Sequence, residues 1–136
     1  MPTPPVGAKK PQDKKPSQAA LEREQIVEED RVLKDMPSLI PPHELRIRER
    51  NKVMTAAIRL ENLADEDGKL EIDTSKDSPE LRELMDLMAD ADDFAESIAV
   101  DRDEYIAWAR KASYQQFAAI LTRYGRAVGE SSGSSN

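Results

Sequence analysis

The stretch from Ser78 to Ile98, SPELRELMDLMADADDFAESI, constrains this chain more than any other. Leu81, Leu84, Met85, Met88, Ala91, Ala95 and Ile98 recur at three- and four-residue intervals, and Leu87 and Phe94 widen the row. That period gathers them on one side of an α-helix; on a strand it would scatter them over both faces. The ends agree. Ser78 has the side chain of an N-cap, Pro79 suits the first helical position, and Glu80 adds charge that favours a helix N-terminus. A helix with so broad an apolar side must cover it with other helices or another chain.

The rest of the sequence reads as further helices separated by breaks. Five of the nine prolines and four lysines fall in residues 1–16, which predicts a disordered basic arm. Ser17 can cap a charge-dense helix over 17–36, whose apolar positions Leu21, Ile26, Val27, Val32 and Leu33 make only a loose stripe. Pro37, Pro41 and Pro42 force an extended connector over 37–43, with Leu39 and Ile40 expected to pack down. A helix opening at Pro42 or His43 and running to Ala64 would carry Ile47, Met54 and Ile58 on its apolar row, with Val53, Ala57, Leu60 and Ala64 alongside. Asp101/Glu104 and Ser113/Gln116 have capping-box spacing, giving a short helix from Arg102 to Ala112 and a last one from Tyr114 to Val128. Gly129 is placed to end that helix, leaving 129–136 as a flexible Gly/Ser tail. Only KLEI, residues 69–72, alternates like a strand, and it has no partner. The expected fold is all-α: a small C-terminal helical bundle within a domain spanning 44–128, preceded by a looser helix and the disordered arm.

Charge and aromatics are unevenly placed. The net charge is −7, yet residues 61–104 hold seventeen acidic and four basic residues, a local −13. Such a segment repels nucleic acid and attracts basic surfaces. All six aromatic residues lie from Phe94 onward, so the best-packed region should be C-terminal. The absence of cysteine excludes disulfides, thiolate metal sites and a cysteine nucleophile. The first ten residues carry no apolar core of a secretory signal, and no apolar run is long enough to span a bilayer.

Candidate chemistry is sparse. With Gly68 at position six of a calcium loop, Asp65 and Asp67 fit positions three and five. Leu63 and Thr74 then occupy positions one and twelve, where carboxylates are needed. An Asp-Gly turn is the simpler reading. Asp90, Asp92 and Asp93 lie on one helix and do not converge, with Asp92 and Asp93 expected near the solvent side. His43 has no nucleophile or orienting group in view. RIRERNK, residues 46–52, is basic but lacks stacking aromatics, and pairing with the acidic middle explains it more simply than nucleic acid. No catalytic, cofactor-binding or metal-ligating residue is assigned. The residues describe a binding protein rather than an enzyme.

Three segments together resemble a known family: LIPPHELR, SPELRELMDLMADADDFAESI and YIAWARKASYQQFAAILTRYGRAVGESSGSSN. Over roughly residues 38–136 the chain resembles the tail assembly chaperones of long-tailed, siphovirus-type bacteriophages, above all those of actinobacteriophages. The resemblance implies a helical, non-enzymatic protein of the host cytoplasm, absent from the finished virion. It would bind the tape-measure protein, shield its apolar helices and help the major tail protein polymerise around it. It also implies a ribosomal frameshift yielding an extended form of the same protein, for which a solvated tail at Gly129-Glu130 would be a suitable joint. A homo-oligomer is a further expectation; a membrane and nucleic acid are not expected partners. On this reading a client helix would lie in a groove formed by the Leu81, Leu84, Met85, Met88 and Phe94 face, together with Trp108, Phe117 and Leu121. The competing readings are a capsid scaffold or head–tail adaptor, an acidic DNA mimic, and a calcium-dependent regulator.

Overall fold

In the computed structural model, residues 17–65 and 70–134 are described, excluding the side chains of residues 18 and 130–134. The disordered arm expected over 1–16 and the Asp-Gly turn expected at 66–69 lie outside the described residues.

The protein is all-α. Among the described residues five helices follow in order: α1 (Gln18–Val32), α2 (Ile47–Leu63), α3 (Pro79–Ser97), α4 (Arg102–Ala109) and α5 (Tyr114–Ser134), with a 3₁₀ turn at Pro42–Glu44. At α1, α3, α4 and α5 the caps are those the sequence signals, whereas α2 is capped by Glu49, which accepts the Arg46 N–H at 2.9 Å. Ser17 Oγ accepts the Ala20 N–H at 3.1 Å, Ser78 Oγ the Leu81 N–H at 3.1 Å, and Asp101 Oδ1 the Glu104 N–H at 3.1 Å. Ahead of α5, the Ser113 N–H donates to Gln116 Oε1 at 2.8 Å, and the Gln116 N–H returns to Ser113 Oγ at 3.3 Å. These bonds satisfy donors that the first helical turn otherwise leaves open.

α5 is the central element. It packs along α2, α3 and α1, and its pairing with α2 is the most extensive in the fold. Gly125 makes that closeness possible: a Cβ there would stand 2.6 Å from Ala57 Cβ on α2. The interior is one contiguous cluster. Val53 and Leu60 enter from α2, Leu87, Ala91, Phe94 and Ala95 from α3, Tyr105 from α4, and Ile120, Leu121 and Tyr124 from α5. Its aromatic rings meet edge to face, Phe94 on Tyr124 at 5.7 Å and Trp108 on Phe117 at 5.9 Å, arrangements favoured by the ring quadrupoles.

The connector is pinned by backbone bonds. The Ile40 N–H donates to Ile98 O at 2.8 Å, the Val100 N–H to Ser38 O at 3.1 Å, and Tyr124 Oη to Ile40 O at 2.8 Å. Leu39 and Ile40 are half-buried against the core as a result.

Four helix boundaries differ from the sequence expectation. α1 stops at Val32, and a turn follows, closed by the Met36 N–H on Leu33 O at 3.0 Å. α2 begins at Ile47 because Leu45 and Arg46 are extended, and that bend carries Leu45 into the core. α4 stops at Ala109, where bonds from the Lys111 N–H to Trp108 O and from the Ala112 N–H to Ala109 O close tight turns. The largest difference is α5, which continues through Gly129 to Ser134 instead of giving way to a flexible tail. Extending a nucleated helix costs little per residue, and no proline blocks it here. Ser135 and Asn136 lie outside the described residues.

Candidate partner-binding surface

The groove expected between the α3 and α5 faces is closed, because those faces pack on each other. Leu84, Met88, Phe94, Phe117 and Leu121 are buried members of the core. Leu81 is half-buried, as is Trp108, whose ring lies between Tyr105 and Phe117. Met85 alone of the eight stands out, 51% exposed. The helical period located the α3 row correctly but not its centre. The buried row is Leu84, Leu87, Met88, Ala91, Phe94, Ala95 and Ile98, which leaves Met85 on its outer flank. A client cannot reach the five buried side chains without unfolding the bundle.

Apolar surface is left over elsewhere. Of the apolar side expected on α2, Val53 and Leu60 are buried together with Ala56, Met54 is half-buried against the core, and Ile47 and Ile58 stand exposed. Ile58 is 51% exposed. Beside it an open trough of about 310 Å³ runs between α1, α2 and α5. Met54, Ala57, Ile58, Leu60 and Gly125 line its apolar part, with Gln25, Glu61, Thr122 and Arg126 at the polar edges. The missing side chain of Gly125 deepens the floor. One turn before Gln25, Leu21 on α1 is also exposed.

α1 reaches the body through charge. Glu29 is the one buried charged residue among those described, 4% exposed. Its carboxylate accepts from Nη2 and Nη1 of Arg126, at 2.7 and 3.0 Å, and Arg123 Nε lies at 3.8 Å. Arg123 also donates to Asp30 at 2.5 Å. A paired fork of this kind fixes orientation as well as position. The sequence offered no local sign of it, since Glu29 and Arg126 stand 97 positions apart.

The acidic segment is tied into the fold at two points. Arg59 of α2 donates to Glu83 at 2.8 Å and to Asp90 at 2.6 Å, and these carboxylates raise its already high pKa. The α2–α3 cation is therefore Arg59, beyond the RIRERNK segment; Arg48 and Lys52 line the same polar groove with Asp90 and Asp93. Asp92 is half-buried rather than solvent-facing, and Tyr105 Oη donates to its Oδ1 at 2.7 Å. Burial and then this acceptor hold the Tyr105 hydroxyl far above its usual range, and burial pushes Tyr124 up to about 12. His43 is exposed, its Nε2 3.5 Å from Glu44. Among the described residues, no group of three or more His, Asp or Glu side chains is placed to hold a metal ion, and no helix is long and apolar enough to cross a membrane.

Set against known protein families, curated proteins and solved structures, the chain matches none of them.

Proposed function

We propose that this protein is a non-enzymatic assembly chaperone of the phage-tail type, which holds the apolar helices of a tape-measure protein in the host cytoplasm while tail-tube subunits assemble around it. The observation that supports this reading is the open trough between α1, α2 and α5, with its apolar floor and half-exposed Ile58. A trough of this size takes a few apolar side chains at helical spacing, the mode in which an amphipathic helix lies on a groove. Met54 adds an adaptable lining that suits clients of varied sequence. The client surface proposed here is this trough, with Met85 as a separate outlying contact, in place of the closed α3–α5 face.

Co-expression with the tape-measure protein of the same genome tests the reading. The wild-type chain should raise the soluble fraction of that protein. Ile58→Asp should abolish the effect while leaving the helical circular dichroism of the variant intact, because Ile58 already contacts water. A folded Ile58→Asp variant that protects as well as wild type would remove the trough from the mechanism. No protection by the wild-type chain would remove the chaperone reading itself.

A further inference from the structure

The N-terminal helix is held unlike the other four. α2 to α5 share the continuous apolar core, whereas α1 turns Leu21, Ile26 and Val27 outward; Val27 is 67% exposed. Its apolar anchorage is confined to its end and the following turn, at Val32, Leu33 and Met36. Elsewhere it lies on α5 over Gln115, Ala118, Ala119 and Thr122, through Gln25, Glu28 and Glu29. Directional bonds there include those of Glu29 with Arg126, Asp30 with Arg123, the Gln115 side-chain amide with Glu28 at 3.5 Å, and the Gln116 side-chain amide with Val32 O at 3.2 Å. A helix attached mainly by ion pairs and anchored at one end is suited to swing about that end.

We propose that α1 is a displaceable occupant of a helix seat on α5, and that a partner helix takes this seat by presenting a carboxylate where α1 presents Glu29. The occupant's chemistry is read from α1 itself. Arg123 and Arg126 set the demand for an acidic residue, and the small side chains of Ala118 and Ala119 admit a closely approaching helix. The seat adjoins the trough, since Gln25 and Thr122 line both. Lifting α1 joins them into one long surface along α5. The proposal rests on the chaperone reading and adds a requirement to it: the client helix is acidic at one position as well as apolar.

Hydrogen exchange on the full chain tests the latch. In the wild type, amides within 21–33 should exchange well ahead of those within 84–95, as a separately opening unit. Loss of the charge-assisted bonds in Glu29→Ala should lower α1 protection by about tenfold or more, with α3 unchanged. The double variant Arg123→Gln/Arg126→Gln attacks the same bonds from the other side and should expose the same amides. Exchange of α1 at the rate of α3 in the wild type, or unchanged α1 protection in both variants, would overturn the proposal. A synthetic peptide of residues 17–36 then probes the seat. It should bind the Glu29→Ala chain about tenfold more tightly than the wild type, and lose that binding when the peptide carries the same Glu-to-Ala change. Equal binding by both peptides, or none by either, refutes a charge-matched seat. The solubility assay with Ile58→Asp does not depend on Glu29, so failure of the latch and failure of the chaperone reading give different patterns.

Discussion

Replacing Gly125 with alanine tests the packing on which the bundle depends. The added Cβ would stand 2.6 Å from Ala57 Cβ, against the roughly 3.5–4.0 Å at which carbon atoms rest, so α2 and α5 would have to part by about 1 Å. Ala57 offers no flexible end to swing aside. Overpacking of this kind costs about 1–3 kcal/mol. The gain in helix propensity from glycine to alanine returns about 1 kcal/mol. The net expectation is a loss of about 1 kcal/mol. Ala57→Gly should by itself cost about 1 kcal/mol through propensity. Independent effects would then sum to about 2 kcal/mol in the double variant, but removing Ala57 Cβ removes the collision. The double variant should therefore lie close to wild type, with a coupling of about 2 kcal/mol. Gly129 provides the control in the same helix. Nothing lies within 4 Å of a Cβ built there, so Gly129→Ala should be neutral or stabilising by up to about 1 kcal/mol. Urea titrations followed by circular dichroism at constant m-value measure all four variants. A Gly125→Ala protein more stable than wild type, or a double variant whose losses simply add, would refute the close approach.

Two smaller tests concern the caps and the tyrosines. Ser78→Ala removes the acceptor of the Leu81 N–H and should cost about 1 kcal/mol in the same titrations, with the bundle otherwise unchanged. Tyr124 has its pKa raised to about 12 by burial, above the roughly 10 of an unfolded tyrosine, so the folded state keeps its proton while the unfolded state loses it. The stability this contributes is fully present below pH about 10 and declines as pH rises toward 12. Tyr124→Phe should flatten that part of the stability–pH curve, and a spectrophotometric titration should lose an ionisation step near 12.

The fold was legible where its causes are local. Ser17, Ser78, Asp101 and the Ser113/Gln116 pair announce helix starts through bonds spanning three residues, and each start falls where those side chains put it. The stop at Gly129 failed for the same kind of reason. A glycine permits a left-handed end but does not compel one, and the helix ran on. Periodicity revealed that α2 and α3 have apolar sides without fixing which direction is inward. On α2 Ile47, Met54 and Ile58, with Val53, Ala57 and Leu60 alongside, looked like one core face. The close neighbour across the α2–α5 contact is Gly125, which meets Ala57 and so calls for a small side chain there. Val53, Ala56 and Leu60 turn inward, Met54 and Ala57 are half-buried beside them, and Ile47 and Ile58 are left toward solvent. The choice depends on a residue some seventy positions away, as the Glu29 clamp does on one still farther off, and neither leaves a local mark.

On the proposed chaperone reading, the completeness of the core limits how a client can be held. A protein that lent out the Leu84, Met88 and Phe94 side of α3 would have to open its own bundle, giving up several fully buried side chains worth roughly 1.5–3 kcal/mol each before gaining any client contact. Among the described residues, the apolar surfaces that need no such opening are small: a trough of about 310 Å³, scattered residues such as Met85, and the α5 seat if α1 lifts as proposed. Each can grip only a short piece of helix, so binding to one segment should be weak and rapidly reversible. Along a long helical client the consequence differs. Many copies, each holding one stretch, can keep the whole chain from aggregating, and each can be displaced singly as subunits advance along it. Titrating the chain against tape-measure fragments of increasing length should then give a bound stoichiometry that grows with length while the affinity per copy stays nearly constant. Saturation at a fixed number of copies regardless of fragment length would instead require a single dedicated docking sequence, and a different surface on this protein to read it.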